Sequence, residues 1–114
     1  MRFTSPPRQQ DFNEKVWEQV KKVPQGKVVT YGQIAQMIPL PEGMDFQYYK
    51  AFAPRWVGGA MAACPEDVPW HRVINSQGKI SAKSEAQRQR QLLAEEGIVF
   101  VNDRVNLRVY QWNR

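Results

Sequence analysis

"RVINSQGKIS", residues 72–81, is the stretch on which the fold turns. Val73 and Ile74 are β-branched, Ile80 resumes an extended pattern, and Gly78 sits in the polar segment between them, so the sequence predicts two short strands around a turn. The segments before it set its context. Asp11 and Glu14 form a D-x-x-E sequence, an expected helix N-terminal box, and Phe12, Val16, Val20 and Val23 follow at helical spacing with Trp17 beside them. Pro24 and Gly26 end that helix. "KVVTYG", residues 27–32, is a short extended piece whose Thr30 can cap a second helix with Gln33, and Ile34, Ala35 and Ile38 give that helix an inner face. From Pro39 to Pro54, proline, glycine and aromatics mix without a period and predict a loop. Pro54 then suits the first position of a third, short helix over "RWVGGAMAA", residues 55–63, which Cys64 and Pro65 stop. After the hairpin, Ser84 with Gln87 is expected to cap a helix over residues 85–96 that Gly97 ends. The tail, residues 98–112, alternates apolar and polar with a turn at Asn102-Asp103.

Three helices, a hairpin, a helix and a strand-like tail make a mainly α chain with small β elements. The expected architecture is a single-domain winged helix-turn-helix over residues 10–114, preceded by a flexible tail, residues 1–9, in which Pro6 and Pro7 block early structure. That layout serves DNA binding, and it also serves protein adaptors.

Composition narrows the classes. The chain's 114 residues are enough for one core and too few for two. Sixteen Lys and Arg against eleven acids give a net charge of +5, an excess that suits a polyanion such as nucleic acid, although a merely basic small protein has the same balance. One cysteine, Cys64, cannot form an internal disulfide, and one His with one Cys makes a transition-metal site an unpromising reading. No cofactor motif is present. No apolar run reaches the roughly 18 residues of a membrane span, and "MRFTSPPRQQ" has no apolar core segment of the secretory kind. A cytoplasmic, nucleoid-associated monomer is expected.

The third helix is a poor one by propensity. Adjacent Gly58 and Gly59 each cost about 1 kcal/mol relative to alanine in a helix interior. Either another helix packs closely there, or something outside the chain approaches the backbone. A major-groove reader would carry several long polar side chains, and this helix has one, Arg55 near its start. A small-faced helix with a single arginine suits the minor groove, with the arginine inserted into the base stack. The alternative for Arg55 is a surface ion pair of little energetic weight.

These pieces resemble one family. "KVVTYGQIA", "RWVGGAMA", "PWHRVINSQGKIS" and "LLAEEG" occur in the order and approximate spacing of the DNA-binding domain of the O6-alkylguanine-DNA alkyltransferases. The similarity covers roughly residues 11 to 100. In active members the residue before the histidine is the alkyl-accepting cysteine; here it is Trp70, and the N-terminal domain of the longer transferases is lacking. Both departures resemble the alkyltransferase-like proteins, which bind alkylated DNA without repairing it. The resemblance implies that Arg55 is the finger entering the stack and that Tyr31 crowds the 3′ phosphate and helps rotate the damaged nucleotide outward. It implies an alkylguanine pocket lined by Tyr31, Trp70, His71, Val73 and Lys83, with Glu96 supporting His71 through water. Ser76 would sit near phosphate, and Trp56, Gly58 and Gly59 would share the DNA face. The implied partners are duplex DNA containing O6-alkylguanine and proteins of nucleotide-excision repair.

The exchange at position 70 has a chemical meaning of its own. A cysteine beside His becomes a thiolate able to attack an alkyl carbon, whereas indole offers one N–H donor and no comparable nucleophile. What indole can do is stack, worth roughly 1–3 kcal/mol per base, and shelter an alkyl group at about 0.8 kcal/mol per buried methylene. Two competing readings stand beside lesion recognition: alkyl transfer to Cys64, and a winged-helix transcription regulator indifferent to alkylation. Segment 39–53 is longer than the compact family version, and its aromatics are expected to pack against the core, the alternative being contact with DNA or a partner.

Overall fold

The computed structural model describes residues 6, 8–81 and 84–113. Its elements run α1 (Gln9–Lys21), β1 (Val29–Thr30), α2 (Tyr31–Gln36), α3 (Phe46–Ala62), a 3-10 turn (Trp70–Arg72), β2 (Val73–Ile74), α4 (Ala86–Glu95), β3 (Phe100–Val101), β4 (Arg104–Val105) and α5 (Leu107–Tyr110). Together they form one mainly helical body with small strands.

The apolar stripe of α1 behaves as its spacing predicts, with Phe12, Val16 and Val20 buried. Its start is one turn earlier than expected. Arg8, in the left-handed region at φ 51°, precedes the helix without a side-chain cap, and Asp11 lies inside the first turn, where its charge favours the helix dipole. Gln9 of the expected tail therefore belongs to α1, and Pro6 is buried; residues 1–5 and 7 lie outside the described residues. The second helix matches its sequence closely: the Thr30 hydroxyl accepts from Gln33 N, and the Gln33 side chain accepts from Thr30 N, a complete capping box.

The largest difference is at α3. Residues 46–53, expected as loop, form the first half of a 17-residue helix with Pro54 in its interior. Asp45 caps it by accepting from Tyr48 N at 3.0 Å. An interior proline disfavours a helix by about 3 kcal/mol, but Tyr49, Ala53, Trp56, Val57 and Ala60 lie on one face and are buried together against α1 and α2. The Tyr49 hydroxyl donates to Ala35 O at 2.7 Å and the Trp17 indole donates to Ala60 O at 2.8 Å, so the polar atoms of both rings are satisfied inside the core. Packing outweighs propensity here.

The expected hairpin at 72–81 is also different. Val73 and Ile74 pair in parallel with Val29 and Thr30, so their backbone groups are taken by a partner more than forty residues away in sequence. The following segment closes as a loop rather than a second strand. Asn75 Oδ1 accepts from the amides of Gln77 and Lys79, and Gly78 N donates to Asn75 O. Gly78 has φ 79°, and a Cβ there would stand 2.4 Å from Val105 O, so this position requires glycine. The two-stranded wing is replaced by a loop joined to β4 through Val105 N and Gly78 O.

At α4 the Ser84–Gln87 box does not form; Glu85 precedes the helix with no side-chain cap. Its end is as expected: Gly97 has φ 92°, with Gly97 N bonded to Ala94 O and Ile98 N to Leu93 O, a Schellman closure. Asn102 and Asp103, both at positive φ, make the two-residue turn of the β3–β4 hairpin. The tail does not continue as a strand. Asn106 caps the single turn α5, after which Val28 and Trp112 exchange a backbone bond beside β1. A second, smaller core of Val28, Ile74, Leu93, Ile98 and Val105 holds this end together.

Candidate nucleic-acid interface

The outer face of α3 is the inverse of its buried one. Gln47, Ala51, Arg55, Gly58 and Ala62 follow at helical spacing away from the core. A Cβ added at Gly58 or Gly59 would meet nothing within 4 Å, so no packing among the described residues accounts for either glycine. Arg55 is exposed and forms no hydrogen bond or ion pair among the described residues, which removes the ion-pair alternative for it.

Beside this face opens a cavity of about 840 Å³. Tyr31, the first residue of α2, and Arg55 and Gly58 of α3 border it on one side. Trp70 and Val73 border it from the 3-10 turn and β2, with Ser76 at the loop. The Tyr31 hydroxyl shares a 2.8 Å hydrogen bond with Ser81 Oγ across this region. Five of the residues expected at a binding site (Tyr31, Arg55, Gly58, Trp70 and Ser76) are thus brought together, with Val73 in the wall although nearly wholly buried. Lys83 lies outside the described residues.

Two expectations are corrected. Trp56 is not on the groove-facing surface: one residue past Arg55 is a turn of 100° round the helix, and its ring, 7% exposed, packs against Phe12, Tyr48 and Tyr49 at centroid distances of 6.0–6.3 Å. His71 is not part of the cavity wall. Its Nε2 lies 2.6 Å from Glu96 Oε2, a direct contact where a water bridge was expected. Arg72 donates to the same carboxylate through Nε at 3.1 Å and Nη2 at 2.8 Å, and through Nη1 to Val23 O at 2.9 Å. Gly26 N donates to Glu96 Oε1 at 2.9 Å. Burial by itself would raise the Glu96 pKa, but the Arg72, Gly26 and His71 hydrogen bonds and the Arg72 charge overcome it and hold the carboxyl at about 2. An ionised carboxylate only accepts, so His71 Nε2 carries the proton in this bond.

Sequence reasoning passed over two residues of α4. Gln89, 2% exposed, donates from Nε2 to His71 O at 3.0 Å and to Val73 O at 2.9 Å, fixing the backbone within the 3-10 turn and just after it. Its signal was a polar residue on the buried, Leu93-bearing face of α4. Arg88 lines the cavity with its guanidinium 5.8 Å from the Trp70 ring centroid. Nothing in the sequence spacing connects positions 70 and 88. Cys64 also borders the cavity; burial, then Asp67, push its thiol up to about 11 against the opposing effect of Lys21, and Sγ–H donates to Pro65 O at 3.4 Å.

A family model described as the DNA binding domain of 6-O-methylguanine DNA methyltransferase matches residues 11–98. The chain therefore belongs to that family. The DNA base-flipping protein of Escherichia coli (strain K12) is 37% identical over 110 residues, covering 93% of this chain and 78% of the relative. Alkyltransferase-like protein 1 of Schizosaccharomyces pombe is 40% identical over 115 residues, covering 92% of this chain and 97% of the relative. The crystal structure of S. pombe Atl1 in complex with damaged DNA containing O6-carboxymethylguanine superposes with a TM-score of 0.75 at 36% identity, over 100% of both chains. Among the described residues no helix is long and apolar enough to cross a membrane.

Proposed function

We propose that this protein recognises O6-alkylguanine in duplex DNA without chemistry: it binds the minor groove, turns the damaged nucleotide out of the helix, holds it, and flags the site for nucleotide-excision repair. The observation that carries this reading is the pairing of a non-nucleophilic indole, Trp70, in a cavity wall with an adjoining helix face kept bare by Gly58 and Gly59. The bare face lets a phosphodiester backbone come close. Arg55, paired with no acid among the described residues, fills the space the base leaves, and Tyr31 crowds the phosphate. The extruded base stacks on Trp70, which offsets part of the few kcal/mol of unstacking. Relatives named for base flipping, and one whose structure holds damaged DNA, support the same reading. The repair-recruitment step rests on family resemblance.

The deciding experiment is a binding titration on paired duplexes that differ by a single O6-methyl group, at one salt concentration. Tighter binding of the alkylated duplex is expected; equal affinity ends the proposal. One observation favours a second reading, alkyl transfer to Cys64, because that thiol borders the same cavity. Its raised pKa leaves little thiolate at neutral pH, and its hydrogen-bond partner is a carbonyl rather than a base. Incubation with duplex carrying a radiolabelled alkyl group separates the two: the lesion-reader leaves all label on DNA, and labelled protein would establish transfer.

A further inference from the structure

Arg88 has no part in the reading above, and two arginines of α4 show why it stands out. Arg90 is neutralised by Asp103 at 2.7 Å and lies over Phe100 at the C-terminal hairpin. Arg88 lies over Trp70 in the cavity wall and pairs with no acid among the described residues. Glu85, one turn earlier on the same wall, makes no ion pair with it, and Glu96 is occupied by Arg72 and His71. The indole face restrains the guanidinium by a cation–π contact, which leaves the N–H donors at its edge unused. The cavity's 840 Å³ lies near the top of the roughly 300–1,000 Å³ common for small-ligand sites, so a purine fills only part of it.

We infer that Arg88 makes the cavity selective for O6 substituents that end in a carboxylate or another strong hydrogen-bond acceptor, over neutral alkyl chains of similar length. The inference rests on the base-flipping reading, since it concerns what the end of the substituent meets once guanine lies on Trp70. A carboxylate leaving water for a pocket needs a charged donor, and Arg88 supplies one. A propyl group in the same place gains only its buried methylenes.

The test uses the full chain and four matched duplexes carrying guanine, O6-methylguanine, O6-propylguanine or O6-carboxymethylguanine. The wild type should bind the carboxymethyl duplex about tenfold more tightly than the propyl one, the scale of one charge-assisted hydrogen bond. Arg88→Gln should bring that ratio close to one, and Arg88→Lys should keep part of it. A wild-type ratio of one, with the methylated duplex still preferred over the unmodified, overturns the assignment to Arg88 and leaves base flipping standing. Equal binding of methylated and unmodified duplexes overturns the underlying reading instead. If Arg88→Gln weakens all four duplexes alike and keeps the ratio, Arg88 is a phosphate contact and the inference fails. It fails too if Lys83→Gln abolishes the ratio while Arg88→Gln preserves it.

Discussion

Trp70 and His71 are adjacent, with ring centroids 6.1 Å apart, yet they belong to regions of opposite character. Around His71 the charged groups are paired. Glu96, 9% exposed, takes hydrogen bonds from His71, Arg72 and Gly26, and Arg72 also donates through Nη1 to Val23 O. Around Trp70 they are open: Arg55 and Arg88 have no acid partners among the described residues, and the glycines of α3 face empty space. His71 and Glu96 are tied to each other and, through Gly26 and Arg72, to the backbone. In this chain they hold the 3-10 turn in place, and the groups left unpaired are those facing the cavity.

The largest effect is expected where that pairing is broken. Glu96→Ala strands Arg72, His71 and Gly26 N together and should destabilise the fold by roughly 3–5 kcal/mol in chemical denaturation, the scale of removing one partner from a buried ion pair. The same carboxylate sets an acid limit. Its pKa falls from an ordinary 4.5 to about 2 on folding, so its contribution is complete above about pH 4.5 and disappears as pH drops towards 2. Unfolding free energies measured across that window should decline in the wild type, and the Glu96-dependent part of the decline should be missing in Glu96→Gln.

Substitutions in the open region should leave stability nearly untouched and act on DNA. Arg55→Ala is expected to weaken binding of an O6-methylguanine duplex by about thirtyfold, an interfacial hot-spot loss of about 2 kcal/mol; an unchanged Kd would remove the finger role. Trp70→Ala should lose about tenfold in lesion affinity through lost stacking, and less on unmodified duplex. The smallest effect carries the sharpest sign. Because a Cβ at Gly58 meets nothing in the free protein, Gly58→Ala should stabilise α3 by about 0.5–1 kcal/mol and at the same time weaken DNA binding. If thermal stability rises while affinity holds, the bare face is not where the backbone of DNA lies.

Legibility in the sequence followed the range of the interactions. The Thr30 capping box, the α1 stripe, the Gly97 closure and the Asn102-Asp103 turn depend on residues within a few positions of one another, and all four form. The first half of α3 was misread because Pro54 is a strong local signal, while the burial that overrides it comes from α1 and α2. The wing was misread because β2 pairs with β1 instead of with its own neighbour. Tyr31, Arg55, Trp70 and Ser76, singled out by residue type and motif, border one cavity. The burial of Trp56 was not legible, since the side of α3 that meets the core is set by packing against α1 and α2 and the helix begins eight residues before Pro54.

By itself, the sequence determined that position 70 carries no nucleophile, where the glycines of the third helix fall, and the positive charge that suits DNA. Those are covalent properties, fixed before folding. Tertiary structure decided that His71 turns inward to Glu96, that Trp56 is core, and that Arg88 comes to rest on Trp70 eighteen positions away. Each of these depends on which distant groups compete for a side chain once water is excluded, and that competition exists only in the packed molecule.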